Sequence, residues 1–295
     1  MGAAVAQRRS QLVLGLDPDP ARLWPVAQVA PQVGADPAVA AAAAVAAHCA
    51  AVIDAAGSAC VAVKLQLACF ERLGGPGWQA LGEAARCARE AGLLVIADGK
   101  RGDVPVTAAA YGQAMVGTTP TPFGEVAGLG ADAFTANPFL GGDTLAPLVD
   151  AARGQGAGVF VLVRTSNPGA ADLQDLPTLD SDGQTAPLWE RLAVRVAALG
   201  SGVGAVVGAT VPEHLQRLRT LMPRTVFLLP GVGAQGARVQ DLGPAFAPGP
   251  ASGLVAVSRG IVAAHERYGG EPARAAEAEA ERLRAAVAAV AAEGP

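Results

Sequence analysis

The chain has 295 residues, 51% hydrophobic and 16% charged, enough apolar surface for a large core and too much for a disordered chain. With a net charge of −4 and no run of Lys or Arg, no nucleic-acid footprint is evident. The apolar stretch within the first ten residues is too short for a secretion signal, and His48, Cys49 and Asp54 interrupt the alanine-rich stretch 38–56, so the expectation is a cytoplasmic protein that does not enter a membrane.

Short β-like runs alternate with helical patterns from end to end. The sequence predicts strands at 12–17, 61–65, 93–98, 132–136, 158–163, 203–208, 225–230 and 254–258, each nearly continuous in apolar residues. Such runs suit parallel strands covered on both faces. Helices are predicted at about 37–56, 77–91, 105–116, 142–153, 187–200, 212–221, 235–242 and 272–292. Asp36-Pro37 and Thr210-Val211-Pro212 have the form of helix starts, a capping side chain followed by proline. Eight β/α units in order predict an α/β fold, a (β/α)8 TIM barrel forming one domain over residues 1–295; a doubly wound open sheet is the alternative. Residues 165–186, after the fifth strand, have no clear period and read as a long functional loop able to cover a site.

Cys49, Cys60, Cys69 and Cys87 lack zinc or redox spacing and read as reduced, buried thiols. His48, His214 and His265 are scattered and read as packing or surface residues. Basic residues are more telling. Of 22 Lys and Arg, the only lysines are Lys64 and Lys100, and both follow apolar strand sequences. Arginine keeps its proton in a protein, whereas lysine can give one up. These two positions are therefore where lysine chemistry is expected.

In a barrel, polar residues at the C-terminal strand ends point into the mouth. Asp17, Lys64, Asp98, Lys100 and Arg259 all fall at such ends. Asp98 and Lys100, two apart on an extended segment, are expected to face the same way, with Asp103 three residues further on. A second group reads as a phosphate grip. "LPGVGAQG" (229–236) offers Gly231, Gly233 and Gly236, whose N–H groups could approach an anion, and "VSRG" (257–260) adds Arg259 and Gly260.

The run Asp98-Gly-Lys100-Arg-Gly-Asp103 matches D-x-K-x-x-D and resembles the orotidine 5′-phosphate decarboxylase family, with similarity running almost end to end. "LGLDPDP" with Asp17, "VKLQ" with Lys64, "TSNPG" with Ser166, "PGVGAQG" with Gln235 and "SRGI" with Arg259 resemble its other signatures, and the extra length resembles its longer bacterial branch. The resemblance implies loss of CO₂ from orotidine 5′-phosphate to give UMP, without metal or cofactor. It implies Lys100 as cation and proton donor, Asp98 beside the substrate carboxylate, and Lys64 and Asp103 holding the charge array. Asp17 would bind ribose, Ser166 the pyrimidine, and Gln235, Arg259 and the glycines Gly231, Gly233 and Gly260 the phosphate. It also implies a homodimer in which Asp103 and Thr107 reach the partner's site. D-x-K-x-x-D is shared with metal-assisted sugar-phosphate decarboxylases and aldolases of the same barrel, which stay open as an alternative. A non-catalytic barrel that binds a phosphorylated metabolite is the more distant one.

Overall fold

A computed structural model describes residues 1–28, 34–233 and 236–293. Eight parallel strands follow one another around a closed barrel in chain order. They are β1 (Leu12–Leu16), β2 (Ala62–Gln66), β3 (Leu94–Arg101), β4 (Ala133–Ala136), β5 (Gly158–Arg164), β6 (Val203–Val207), β7 (Phe227–Pro230) and β8 (Gly253–Val257). Every residue of β1, β4, β6 and β8 is buried, which is what a continuous apolar run without alternation requires of a strand covered on both faces. The open-sheet alternative is thereby set aside.

Two compact units make up the chain: Met1–Gly99 with Val257–Ala285, and Lys100–Ala256 with Ala286–Pro295. In the first, β1 and β2 pair with Gly15 opposite Lys64, and β2 and β3 pair with Gln66 opposite Asp98. Helix Pro37–Ala56 starts where the sequence predicts. The Asp36 carboxylate accepts from the N–H groups of Ala38 (2.7 Å) and Val39 (3.3 Å), and Pro37 fills the first turn, where its missing N–H is not needed. The stretch Pro37–Ala59 is long and apolar enough to cross a membrane. Its buried residues Ala42, Val45, Cys49, Val52, Ile53 and Ala56 nevertheless recur at three- and four-residue steps, and the helix packs on helix Gly74–Glu90.

In the second unit β4 to β7 pair in turn, β5 and β6 with a shift of register between Val206 and Val207, and helix Pro105–Met115 packs on helix Gly142–Gly154. Gly112 permits that contact, since a Cβ there would sit 2.5 Å from Ala151 Cβ. Arg219 shows how freely this chain uses arginine as a structural donor. It is 5% exposed and donates to the carbonyls of Met222, Thr225, Ala245 and Ser252, and burial lowers its pKa to about 10.

Several expectations need correction. Residues 165–186 are not irregular. They hold a 3-10 turn (Pro168–Ala170), a short helix (Ala171–Gln174) and an antiparallel hairpin pairing Pro177–Leu179 with Thr185–Pro187. Each piece is too short to impose a period on the sequence. The helix predicted at 235–242 is a 3-10 helix over Val239–Phe246, into which Pro244 is built. Thr210 caps nothing, because Val211 is the N-cap residue of helix Pro212–Leu221 and no side chain caps it. A second hairpin, Thr118–Thr121 with Gly124–Ala127, lies between the helix predicted at 105–116 and the strand predicted at 132–136. Cys49 and Cys60 are buried free thiols as expected, but Cys69 and Cys87 are only half-buried.

Candidate active site

The first unit gathers three of the predicted residues. Lys64 is the third residue of β2, not its last, and faces the same side as Gln66, which stands opposite Asp98. Its four-carbon stem carries the ammonium up the strand, so that Nζ lies 2.5 Å from Asp98 Oδ2 and 3.9 Å from Asp17 Oδ1. Gln66 Nε2 also donates to Asp98 Oδ2, at 3.3 Å. Burial works against the ammonium, but the two carboxylates outweigh it and hold the Lys64 pKa above its usual value. Removing one member of such a buried pair leaves an uncompensated charge, typically worth ~3–5 kcal/mol.

Asp17 sits just past β1, partly exposed, on a turn held by Arg72, whose guanidinium donates to Pro18 O at 2.6 Å. Asp17 and Arg259 line one cavity of about 310 Å³ together with Ser258, Trp24 and His48. Arg259 opens the short helix Arg259–Val262 and is exposed; Gly260 follows it, half-buried. Among the first unit's predicted residues, then, Asp17, Lys64, Asp98 and Arg259 are brought together.

In the second unit, Lys100 has a φ of +48°, one of two non-glycine residues with positive φ among those described. Its N–H donates to the hydroxyl of Thr135, itself 1% exposed, at 2.8 Å. Next, the N–H of Asn137 donates to Arg101 O at 2.8 Å, and a Cβ on Gly102 would come within 2.8 Å of Asn137 O. Only glycine fits there. Asp103 turns its carboxylate back on Val104 N–H at 2.7 Å, and Thr107 is exposed in the first turn of helix Pro105–Met115.

Ser166 lies beyond β5, half-buried against Gly208, where an added Cβ would be 2.9 Å from Ser166 N. Nearby, Arg164 makes a two-point ion pair with Asp175 (2.8 and 3.0 Å), and Gln174 bonds Thr165, which ties residues 165–175 to the end of the strand. In the glycine loop after β7, Gly233 N–H donates to Ala237 O and Gly236 N–H to Gly233 O, both at 3.0 Å, so the turn is closed by its own amides. The loop needs glycine for backbone reasons: φ is +110° at Gly231, +78° at Gly233 and +90° at Gly236. Gln235 lies outside the described residues.

Sequence reasoning missed Thr135, Asn137 and Gly208. Thr135 had a signal, a lone hydroxyl in an otherwise apolar strand. Asn137 and Gly208 had none until their neighbours were known.

The profile of the Orotidine 5′-phosphate decarboxylase / HUMPS family matches residues 10–277. The chain belongs to that family. It is 42% identical over 264 residues to an orotidine 5′-phosphate decarboxylase of Deinococcus radiodurans, covering 86% of this chain and 84% of that one. It is 40% identical over 276 residues to the enzyme of that name from Rhodopirellula baltica, covering 90% and 88%. Among solved structures, UMP synthase of Leishmania donovani superposes with a TM-score of 0.73 at 32% identity, over 98% of this chain but 56% of that longer one. The D-x-K-x-x-D run lies inside the matched region, so the family's motif and the buried Lys64–Asp98 pair belong to one and the same segment of fold.

Proposed function

We propose that this chain, acting as one barrel domain over residues 1–295, decarboxylates orotidine 5′-phosphate to UMP. The observation that carries the reading is the Lys64 ammonium, buried between Asp98 at 2.5 Å and Asp17 at 3.9 Å, with the second lysine two residues after Asp98 on the same strand. The proposed reaction breaks the bond from the ring carbon to the carboxylate. CO₂ leaves, the electron pair stays on the carbon, and a proton from the Lys100 ammonium fills the vacated position. A cation fixed in advance beside the developing charge stabilises it without reorganisation at the moment of reaction. Asp98, beside the substrate carboxylate, raises the bound ground state and loses its opponent as CO₂ departs.

Lys64 and Asp103 hold the charge array, and Asp17 binds the ribose. Ser166 reads the pyrimidine edge. Arg259 and the adjacent Gly260, with Gln235 and the turn carrying Gly231 and Gly233, take the phosphate, and this remote binding orients the ring. Arg259 and Asp17 lining one cavity supports the pairing of phosphate and ribose ends. The chemistry asks for no metal. In a metal-assisted sugar-phosphate decarboxylase an acidic ligand is wanted at the end of the second strand; here Lys64 fills the space between two carboxylates with its own positive charge.

A homodimer, with Asp103 and Thr107 serving the partner's site, completes the proposal. The exposed first turn of helix Pro105–Met115 supports it. A cytoplasmic location is supported by four free thiols, which suit a reducing compartment. The test is turnover of orotidine 5′-phosphate by the purified chain with UMP identified as product; no turnover of the nucleotide would end this reading.

A further inference from the structure

Helix Pro105–Met115 buries Ala108, Gly112 and Met115 and leaves the opposite stripe open: Val106, Thr107, Ala110 and Ala114 are all exposed, Val106 by 85%. The hairpin that follows, Thr118–Thr121 with Gly124–Ala127, is exposed along both strands except for its half-buried ends, and Phe123 at its tip is 99% exposed. A lone two-stranded hairpin is marginally stable in water. Yet this one is held at both ends. At its base Gly128 N–H donates to Gly117 O (3.0 Å) and Leu129 N–H to Ala114 O (2.8 Å), and only glycine fits at 128, where a Cβ would meet Gln113 O at 2.3 Å. At its tip the Thr121 hydroxyl donates to Gly124 O (2.7 Å) and accepts from Phe123 N–H (3.1 Å). A large aromatic presented on a turn already ordered is the kind of anchor that carries binding energy, because little freedom remains to be lost.

We infer that this hairpin is an arm that packs Phe123 on a second copy of the chain, against Val104 and Val106 at the start of the partner helix. This rests on the homodimer proposed above and adds the contact that aligns it. The charge pattern selects a second copy. From Val104 to Gly124 there is no charged residue, so the surface offers nothing to a charged partner but is complementary to itself. Between Arg101 and Arg153 there is no Lys or Arg, while Asp103, Glu125 and Asp132 are present, which disfavours an anionic membrane or a nucleic acid. Pro120 and Pro122 remove backbone donors from one edge of the hairpin, so side-chain packing, not strand addition, is the contact it can make. The register follows from symmetry. Two copies of the helix packed antiparallel about a two-fold axis through the small residues Ala110 and Ala114 put the hairpin at one helix's C-terminal end over the other's N-terminal end. Val104 (52% exposed) and Val106 are there, beside Asp103 and Thr107.

The test is sedimentation of wild type, Phe123→Leu and Phe123→Asp, with activity per chain followed over a dilution series. The expectation is a dimer for wild type and Phe123→Leu, and a dimer weakened at least about tenfold in Phe123→Asp, the effect of losing one buried aromatic anchor. Its activity should fall on dilution and return at high concentration. The double variant Phe123→Cys, Val106→Cys should form interchain disulfides, identified by peptide mass, whereas Phe123→Cys, Val194→Cys should not. An unweakened Phe123→Asp dimer without the 106–123 link overturns the arm and leaves the dimer standing. A wild-type monomer at all concentrations overturns both.

Discussion

The backbone N–H of Lys100 donates to the hydroxyl of Thr135 at 2.8 Å, and it does so from the left-handed conformation, φ +48°. A side-chain-bearing residue there costs about 1–2 kcal/mol relative to a right-handed one. Such strain persists where the surroundings fix it, and Thr135, fully buried in β4, is part of what fixes it. Thr135→Val keeps the shape and removes the acceptor. We expect kcat to fall by about fivefold, the rate equivalent of the ~1 kcal/mol of one hydrogen bond, with KM little changed. Thr135→Ser should restore most of the rate. Equal kcat in Thr135→Val and wild type would mean that the bond does not position Lys100.

Lys100 itself is expected to act by proton and charge together. Lys100→Arg keeps the charge but puts a delocalised guanidinium that cannot release its proton where a compact ammonium stood. Turnover should fall by about a hundredfold or more, as for loss of a general acid. Near-normal turnover, measured by single-wavelength assay on the folded variant, would leave Lys100 a mere counter-charge.

Whether Asp103 crosses to the neighbouring site is open to a mixing experiment. Lys100→Ala and Asp103→Ala proteins are each expected to be inactive. If the two residues of one chain serve different sites, each mixed dimer has one site lacking both and one intact. After reversible dissociation and random pairing of equal pools, about a quarter of all sites should be active. Mixed dimers confirmed by native mass spectrometry but without activity would return Asp103 to its own chain's site.

The buried imidazole of His48 makes stability depend on pH. Its Nδ1 accepts Trp24 N–H at 3.1 Å, and burial lowers its pKa from 6.5 to about 4. The unfolded chain therefore takes up the proton first. The stability this neutral histidine contributes is complete above about pH 6.5 and is lost as the pH falls toward 4. Between pH 7 and 5, wild type should lose about 2 kcal/mol more than His48→Gln in urea unfolding. A pH-independent difference between the two would contradict the assignment.

How much could be read from sequence varied with what each feature depends on. The strands could be placed to within two or three residues because a strand buried on both faces must be apolar throughout, a condition met by "LVLGL" and "VGAVV" and written in composition alone. The identities of Asp17, Lys64, Asp98 and Arg259 were legible because charged residues rarely interrupt such runs. Their geometry was not. Lys64 reaches Asp98 by the length of its stem from mid-strand, and Lys100 turns left-handed because Thr135, 35 positions away in sequence, offers it an acceptor. Glycines that satisfy positive φ and glycines that present N–H groups to an anion look alike in sequence, so the bonds by which Gly233 and Gly236 close their own turn could not be read from it. The two hairpins were hidden because strands of three or four residues are too short to declare a period.

The central claim, decarboxylation of a nucleotide by lysine and aspartate side chains alone, is tested most directly with the pure chain in excess chelator, following the absorbance of orotidine 5′-phosphate and identifying UMP. The account predicts the same rate with EDTA and with added Mg²⁺, and no turnover of a sugar phosphate lacking the pyrimidine. A rate that vanishes in EDTA and returns with Mg²⁺, or preference for the sugar phosphate, would contradict it.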